Sequence, residues 1–179
     1  MRILKIVLII LILGISLVLI SAYFMPKEYA VQREVTINKP VDTVFNYVKF
    51  LKNQNEFSYW ASIDPKMKTN YKGTDGTVGS VASWESKVKE VGVGEQEITK
   101  ITEGKRIDFA LRFKEPMQDT AEGFMSTEKI AQNQTKVKWA INGIIPYPMN
   151  IMLPMMNLDS MLGNDLQKGL DNLKEKMEN

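Results

Sequence analysis

Nineteen consecutive residues, Ile6 to Phe24, carry no charge, and thirteen of them are Ile, Leu or Val. At a helical rise of about 1.5 Å each they span about 28 Å, close to the roughly 30 Å hydrocarbon core of a bilayer. Such a run cannot join a water-soluble fold on equal terms with the rest, so it divides the chain. Residues 1–25 are expected to be an N-terminal transmembrane anchor and residues 26–179 a single domain. Arg2, Lys5 and the amino terminus precede the run, and the positive-inside tendency predicts a cytoplasmic N-terminus with the domain extracytoplasmic, either periplasmic or at the cell surface. The competing explanation is a cleaved signal peptide. Cleavable signals carry shorter apolar stretches of about 7–15 residues, whereas this one is longer and leads into Ser21-Ala22-Tyr23-Phe24-Met25. Tyr23 and Phe24 suit headgroup level, and Pro26 stops the helix. With no cysteine to acylate, a lipoprotein is excluded.

Setting Arg2 and Lys5 aside leaves 21 basic residues against 21 acidic ones, so the domain is formally neutral and lacks the basic face that nucleic acid requires. The chain has no histidine either. Thiolate nucleophiles, Ser-His and Cys-His pairs and nearly every zinc or copper site are therefore unavailable. No metal site, cofactor or catalytic residue is assigned.

From Tyr29 to Ile37 the residues alternate, with Tyr29, Val31, Arg33, Val35 and Ile37 on one side, which predicts a half-buried strand. Val41, Val44, Phe45 and Val48 after Pro40 predict a short amphipathic helix, and a second short helix or loop carries Phe50, Leu51, Phe57 and Tyr59-Trp60. Strands are then predicted at 67–71, 80–87, 95–101, 106–113, 122–130 and 135–141, with Asp75-Gly76 as a hairpin signal. Ile107, Phe109, Leu111 and Phe113 share one dry face. Gly73, Gly76 and Gly79 are read as turns and not as a phosphate loop, because no Lys-Ser/Thr pair follows. Past Pro148 the period changes. Met155, Leu158, Leu162, Leu166, Leu170, Leu173 and Met177 form the stripe of one long helix, with Pro154 starting or kinking it. A curved antiparallel sheet covered by that helix is the economical assembly.

Several stretches together resemble the START-like, helix-grip superfamily, also called SRPBCC, and its polyketide cyclase/dehydrase-like branch that often carries an N-terminal membrane anchor. They are Tyr29-x-Val31-x-Arg33 through Ile37-x-x-Pro40-x-x-x-Val44-Phe45, Trp60-x-x-x-Asp64-Pro65, Tyr71-x-Gly73-x-x-Gly76-x-x-Gly79-x-x-x-x-Trp84, and Gly163-x-Asp165-x-x-x-Gly169-Leu170-x-x-Leu173-Lys174. The resemblance implies an α+β helix-grip fold of about seven strands wrapped around the C-terminal helix. It also implies a deep cavity for lipids, sterols, polyketides or other apolar molecules. It implies no shared reaction.

Candidate ligand contacts follow. Met149, Met152, Met155, Met156 and Met161 crowd the start of the long helix, where flexible thioethers suit an adaptable wall or simply fill an irregular core. Trp60, Tyr71, Trp84, Phe109, Phe113, Phe124 and Trp139 are candidates for the same cavity, with plain packing as the alternative. Arg33 is in phase with the apolar side of its strand and needs a partner. Glu128, in phase with Phe124, Ser126 and Ile130, is the candidate partner, as a structural ion pair or as a head-group anchor. Three functions are carried forward: an anchored binding domain for an apolar or amphipathic small molecule, a cyclase or dehydratase using a cavity carboxylate or Tyr71, and an interaction module whose cavity is filled by its own side chains.

Overall fold

Alternation of apolar and polar residues after Pro26 becomes one continuous hydrogen-bonded ladder, and the computed structural model describes residues 2–179. The elements run α1 (Arg2–Phe24), β1 (Glu28–Ile37), α2 (Val41–Val48), α3 (Leu51–Phe57), α4 (Tyr59–Ile63), β2 (Lys68–Lys72), β3 (Val81–Glu85), β4 (Val93–Thr102), β5 (Arg106–Glu115), β6 (Asp119–Ala131), β7 (Gln134–Ile144), a short 3-10 helix (Met149–Met152) and α5 (Leu158–Glu178). Seven antiparallel strands lie in the order β1-β7-β6-β5-β4-β3-β2. All neighbours but one are consecutive hairpins. The exception is β1, which returns beside β7 and brings both ends of the domain to one edge.

The predicted stripes meet on the concave face. Ile37, Ile98, Ile107, Met125 and Val137 from the sheet are fully buried with Leu166, Leu170 and Leu173 from α5 and Val44, Phe45 and Val48 from α2. Each fully buried aliphatic contributes about 1.5–3 kcal/mol relative to exposure. α5 begins at Leu158, three residues later than its stripe suggests, because Asn157 caps it by accepting from the Ser160 amide at 3.2 Å. Met155 thus falls outside the helix and is 85% exposed. Pro154 lies between the 3-10 helix and α5 and kinks neither.

Asp75-Gly76 also does more than turn the chain. Gly76 adopts a positive φ of 76°, and a Cβ there would meet the Phe50 ring at 2.8 Å, so the loop lies flat on that ring. Asp75 then accepts from the amides of Leu51 and Lys52 at 2.7 and 3.1 Å, satisfying two orphan donors at the start of α3.

α1 is the one helix long and apolar enough to cross a membrane among the described residues. Its side chains are exposed along nearly the whole length, and only near its end, at Ala22, does it become buried.

Candidate ligand cavity

α5 runs beside β1, at one edge of the concave face, and touches β7 much less. The inner faces of β2 to β5 are therefore left for α3 and α4 to cover, and those short helices do not fill the space. A cavity of about 450 Å³ remains between them, within the usual range for small-molecule sites.

Its walls come from parity. On β5, Phe109, Leu111 and Phe113 point inward; on β7, Trp139 and Ile141; on β2 and β3, Tyr71, Ala82 and Trp84. Trp84 lies over Gly94, where a Cβ would meet its ring at 2.5 Å, and stacks edge-on against Phe113 with centroids 6.1 Å apart. Its indole N–H donates to the Val91 carbonyl at 3.1 Å. Trp60 meets Trp139 edge-on at 5.9 Å, and Met156, Met161 and Leu162 complete the wall from the α5 side.

Polar groups in the wall are few and neutral. Gln54 is buried, donates to the Val48 carbonyl at 2.8 Å and accepts from Gln96 Nε2 at 2.8 Å, which ties α3 to β4 across the cavity. Burial raises the Tyr71 hydroxyl above its ordinary pKa, and burial followed by the nearby Asp119 charge does the same for Tyr29. Both phenols are protonated donors near neutral pH. The charged lining residues, Lys89, Glu90, Glu115 and Asp119, lie in exposed segments at the rim.

Eight of the fourteen sequence candidates are brought together here: Trp60, Tyr71, Trp84, Phe109, Phe113, Trp139, Met156 and Met161. Six are not. Phe124 and Glu128 face the convex side, because β6 pairs with β7 so that Met125 lies opposite inward Trp139 and Thr127 opposite inward Val137. Phe124 is instead covered by the Arg106 guanidinium, 3.7 Å above its ring, and Glu128 is exposed beside Lys136 at 3.5 Å. Met149, Met152 and Met155 are exposed outside the cavity.

Arg33 does not pair with Glu128. Its guanidinium crosses the backbone of α5 at Gly163, where any Cβ would collide with it, and grips Asp159 in a two-pronged pair at 2.8 and 3.0 Å. A third bond reaches the Asp159 carbonyl at 2.9 Å. Hydrogen bonding to Arg33 holds the Asp159 carboxyl below its ordinary pKa. The arrangement latches the first turn of α5 onto β1, where a carboxylate also complements the helix N-terminus.

Further carboxylates are paired away from the cavity. Glu95 and Glu97 bind Arg112 on the convex face at 3.2 and 2.6 Å, with Lys114 also on Glu95, and Asp108 binds Arg106 at 2.7 Å. Among the described residues no group of three or more acidic side chains converges as a metal site. Sequence reasoning missed Gln54 and Gln96. The alternation of Gly94, Gln96 and Ile98 is the signal that could have found Gln96, and nothing local marks Gln54.

A curved antiparallel sheet closed around a terminal helix, with an apolar cavity between, is the helix-grip arrangement of the START-like, SRPBCC proteins. The chain belongs to the family described as polyketide cyclase / dehydrase and lipid transport, whose profile matches residues 29–178. Norcoclaurine synthase from Thalictrum flavum, solved with dopamine and hydroxybenzaldehyde, has a similar fold: TM-score 0.62, 9% identity, covering 83% of this chain and 86% of that one. A protein from Chromobacterium violaceum superposes with a TM-score of 0.59 at 11% identity over 84% of this chain and 97% of its own. The di-domain aromatase/cyclase BexL of the BE-7585A biosynthetic pathway gives 0.60 at 12% identity, with 85% of this chain matching 50% of that one. At such identities the likeness is one of fold. No curated protein matches the chain.

Proposed function

We propose that this protein is a membrane-anchored, extracytoplasmic binding domain that holds an apolar or amphipathic small molecule, of lipid, isoprenoid or polyketide type, between its sheet and α5. The observation that carries this reading is the cavity of about 450 Å³ with aromatic and aliphatic walls and charge confined to its rim. An apolar guest would bury against those walls, while a polar end finds donors at Tyr71, Gln96 or the rim. A void of this size also speaks against a module filled by its own side chains. The uncharged run Ile6 to Phe24 within α1, preceded by Arg2 and Lys5, supports the anchor and its direction.

The test is native mass spectrometry of the gently solubilised full chain, followed by melting curves with fatty acids, isoprenoids and polyketides. A guest at about 100 times its Kd should stabilise the fold by about 2.7 kcal/mol. Absence of any co-purifying molecule together with no melting shift across the panel rejects the reading.

A second reading is supported by Tyr71, a protonated phenol in the cavity wall, and by a fold shared with norcoclaurine synthase. In that reading the protonated phenol donates to a developing oxyanion on a carbonyl guest. Tyr71→Phe would then abolish turnover of a bound carbonyl compound while leaving its affinity within about twofold, since the ring and its packing persist.

A further inference from the structure

We infer that the segment from Tyr147 to Met155 lies in the headgroup layer of the membrane and that the cavity opens toward that membrane, so its guest enters from lipid and not from water. This inference rests on the proposed anchoring by α1.

The first observation is a clamp. Asn150 is completely buried, and its Nδ2 donates to the carbonyls of Ala22 at 2.7 Å, Met25 at 3.1 Å and Pro26 at 3.4 Å. The last carbonyls of a helix have no partners within it, so this amide caps α1. The Ile145 amide adds a bond to the Lys27 carbonyl at 2.8 Å. The 3-10 helix is thereby fixed to the last turn of α1, and cleavage at Ala22 would remove part of its own support. Nothing comparable holds the rest of α1, which leaves the domain exposed.

Depth follows from length. The apolar run of α1 nearly matches a hydrocarbon core of about 30 Å, which places Ala22 to Met25 at its boundary, with a headgroup layer of roughly 5–8 Å beyond. Side chains flanking Asn150 must lie within that layer. They are suited to it: Met149 is 53% exposed, Met152 44% and Met155 85%, with Tyr147 also open. No charged residue occurs between Lys138 and Asp159. A surface of large apolar side chains without charge signals a partner, and here the partner already adjoins it as the bilayer around α1.

The third observation is the position of the mouth. Register places the start of β1 beside the end of β7, the start of β6 beside the end of β5, and the start of β4 beside the end of β3, all at the end of the sheet where α1 departs. The rim residues Lys89, Pro116, Met117 and Met156 belong to loops at this end, and Asp119 opens β6 there. The opposite end is solid, with Ile37, Ile98, Ile107 and Val137 fully buried. An acyl or isoprenyl chain leaving the outer leaflet would thus meet the Met-lined rim before it met water.

The chain has no cysteine, so single Met149→Cys, Met152→Cys and Met155→Cys variants can each carry one fluorescent label. Full-length protein is reconstituted into phosphatidylcholine/phosphatidylglycerol vesicles containing lipids nitroxide-labelled at the headgroup or in mid-chain. Val78→Cys and Ile130→Cys serve as exposed controls at the far end, and Leu11→Cys reports insertion of α1. Headgroup nitroxides should quench labels at 149, 152 and 155 about threefold or more above the controls, since only these lie within the headgroup layer. Asn150→Ala should reduce that difference while quenching at 11 by mid-chain nitroxide persists. Quenching at the three Met positions no greater than at 78 and 130, with position 11 quenched, overturns the inference and leaves the anchor standing. Labels shielded from aqueous iodide but untouched by nitroxide lipid also overturn it, because a protein then covers the patch. An unquenched position 11 refutes the anchor itself.

Discussion

Gly123 sits on β6 facing the cavity, and its replacement by leucine should pull stability and ligand affinity in opposite directions. A Cβ there would approach the Ala140 carbonyl at 3.2 Å, Leu111 at 3.5 Å and Phe109 at 3.9 Å, so the added side chain has the neighbouring strands β7 and β5 at its sides and the cavity in front. The backbone is not in the glycine-only region, since Gly123 has no positive φ. Three contributions set the sign for the empty protein. Replacing a mid-strand glycine gains about 0.5–1 kcal/mol. Shielding a leucine side chain in a cavity still partly open to water gains about half of the usual 1.5–3 kcal/mol. Crowding against the Ala140 carbonyl costs about 1 kcal/mol, the lower end for overpacking. The net is about +1 kcal/mol, a Tm rise of about 2–4 °C for a chain of this size. For a guest that fills the cavity the same change displaces about four methylene-sized groups at about 0.8 kcal/mol each, about 3 kcal/mol in all. That weakens binding about a hundredfold. The assay is calorimetric melting of the solubilised full chain beside titration with a fluorescent acyl probe. A variant that melts several degrees lower with probe affinity unchanged would refute both the assumed room at Gly123 and the location of the guest.

Asp159, held below its ordinary pKa by Arg33, contributes stability that is present above its unfolded value near about 3.9 and lost as pH falls through the lower folded value. Asp159→Asn should therefore show a shallower fall in Tm between about pH 5 and about pH 3 than the native chain, and an equal fall in both would discount the latch. Because Arg33 lies outside the cavity, Arg33→Ala should lower Tm and leave probe affinity unchanged; a larger loss of affinity than of Tm would restore a role in binding. Gln54→Leu orphans the Val48 carbonyl and the Gln96 amide, costing about 2 kcal/mol and roughly 4–8 °C in Tm, part of which Gln54→Leu/Gln96→Leu should recover. Gly169→Val should cost about 1–3 kcal/mol in chemical denaturation, because a Cβ there meets the buried Trp139 ring at 2.7 Å, and a neutral result would mean that α5 shifts freely on the sheet.

What was legible along the chain was periodic. The stripe of Tyr29 to Ile37, the dry face of Ile107 to Phe113 and the leucines of α5 each repeat within a few residues, and all three were found where the spacing put them. β6 misled because its inward residues include Ala121, Gly123 and Thr127, small or polar, while outward Phe124 is large and apolar. Only the pairing with Trp139 and the Arg106 guanidinium over Phe124 explain that inversion. The partner of Arg33 lies 126 residues away, a distance at which no local pattern informs. The caps supplied by Asp75 and Asn150 were hidden for the same reason.

Element type and order, the anchor-length apolar run, the neutral charge of the domain and the absence of thiol and imidazole chemistry are properties of neighbouring residues or of simple counts, so they could be read directly. The volume of the cavity, the direction of its mouth and the partners of its ionised groups could not. They depend on α5 lying along β1 instead of across the middle of the sheet, and on the 3-10 helix after β7 meeting the last turn of α1. Those are distances between residues far apart in the chain, and packing alone sets them.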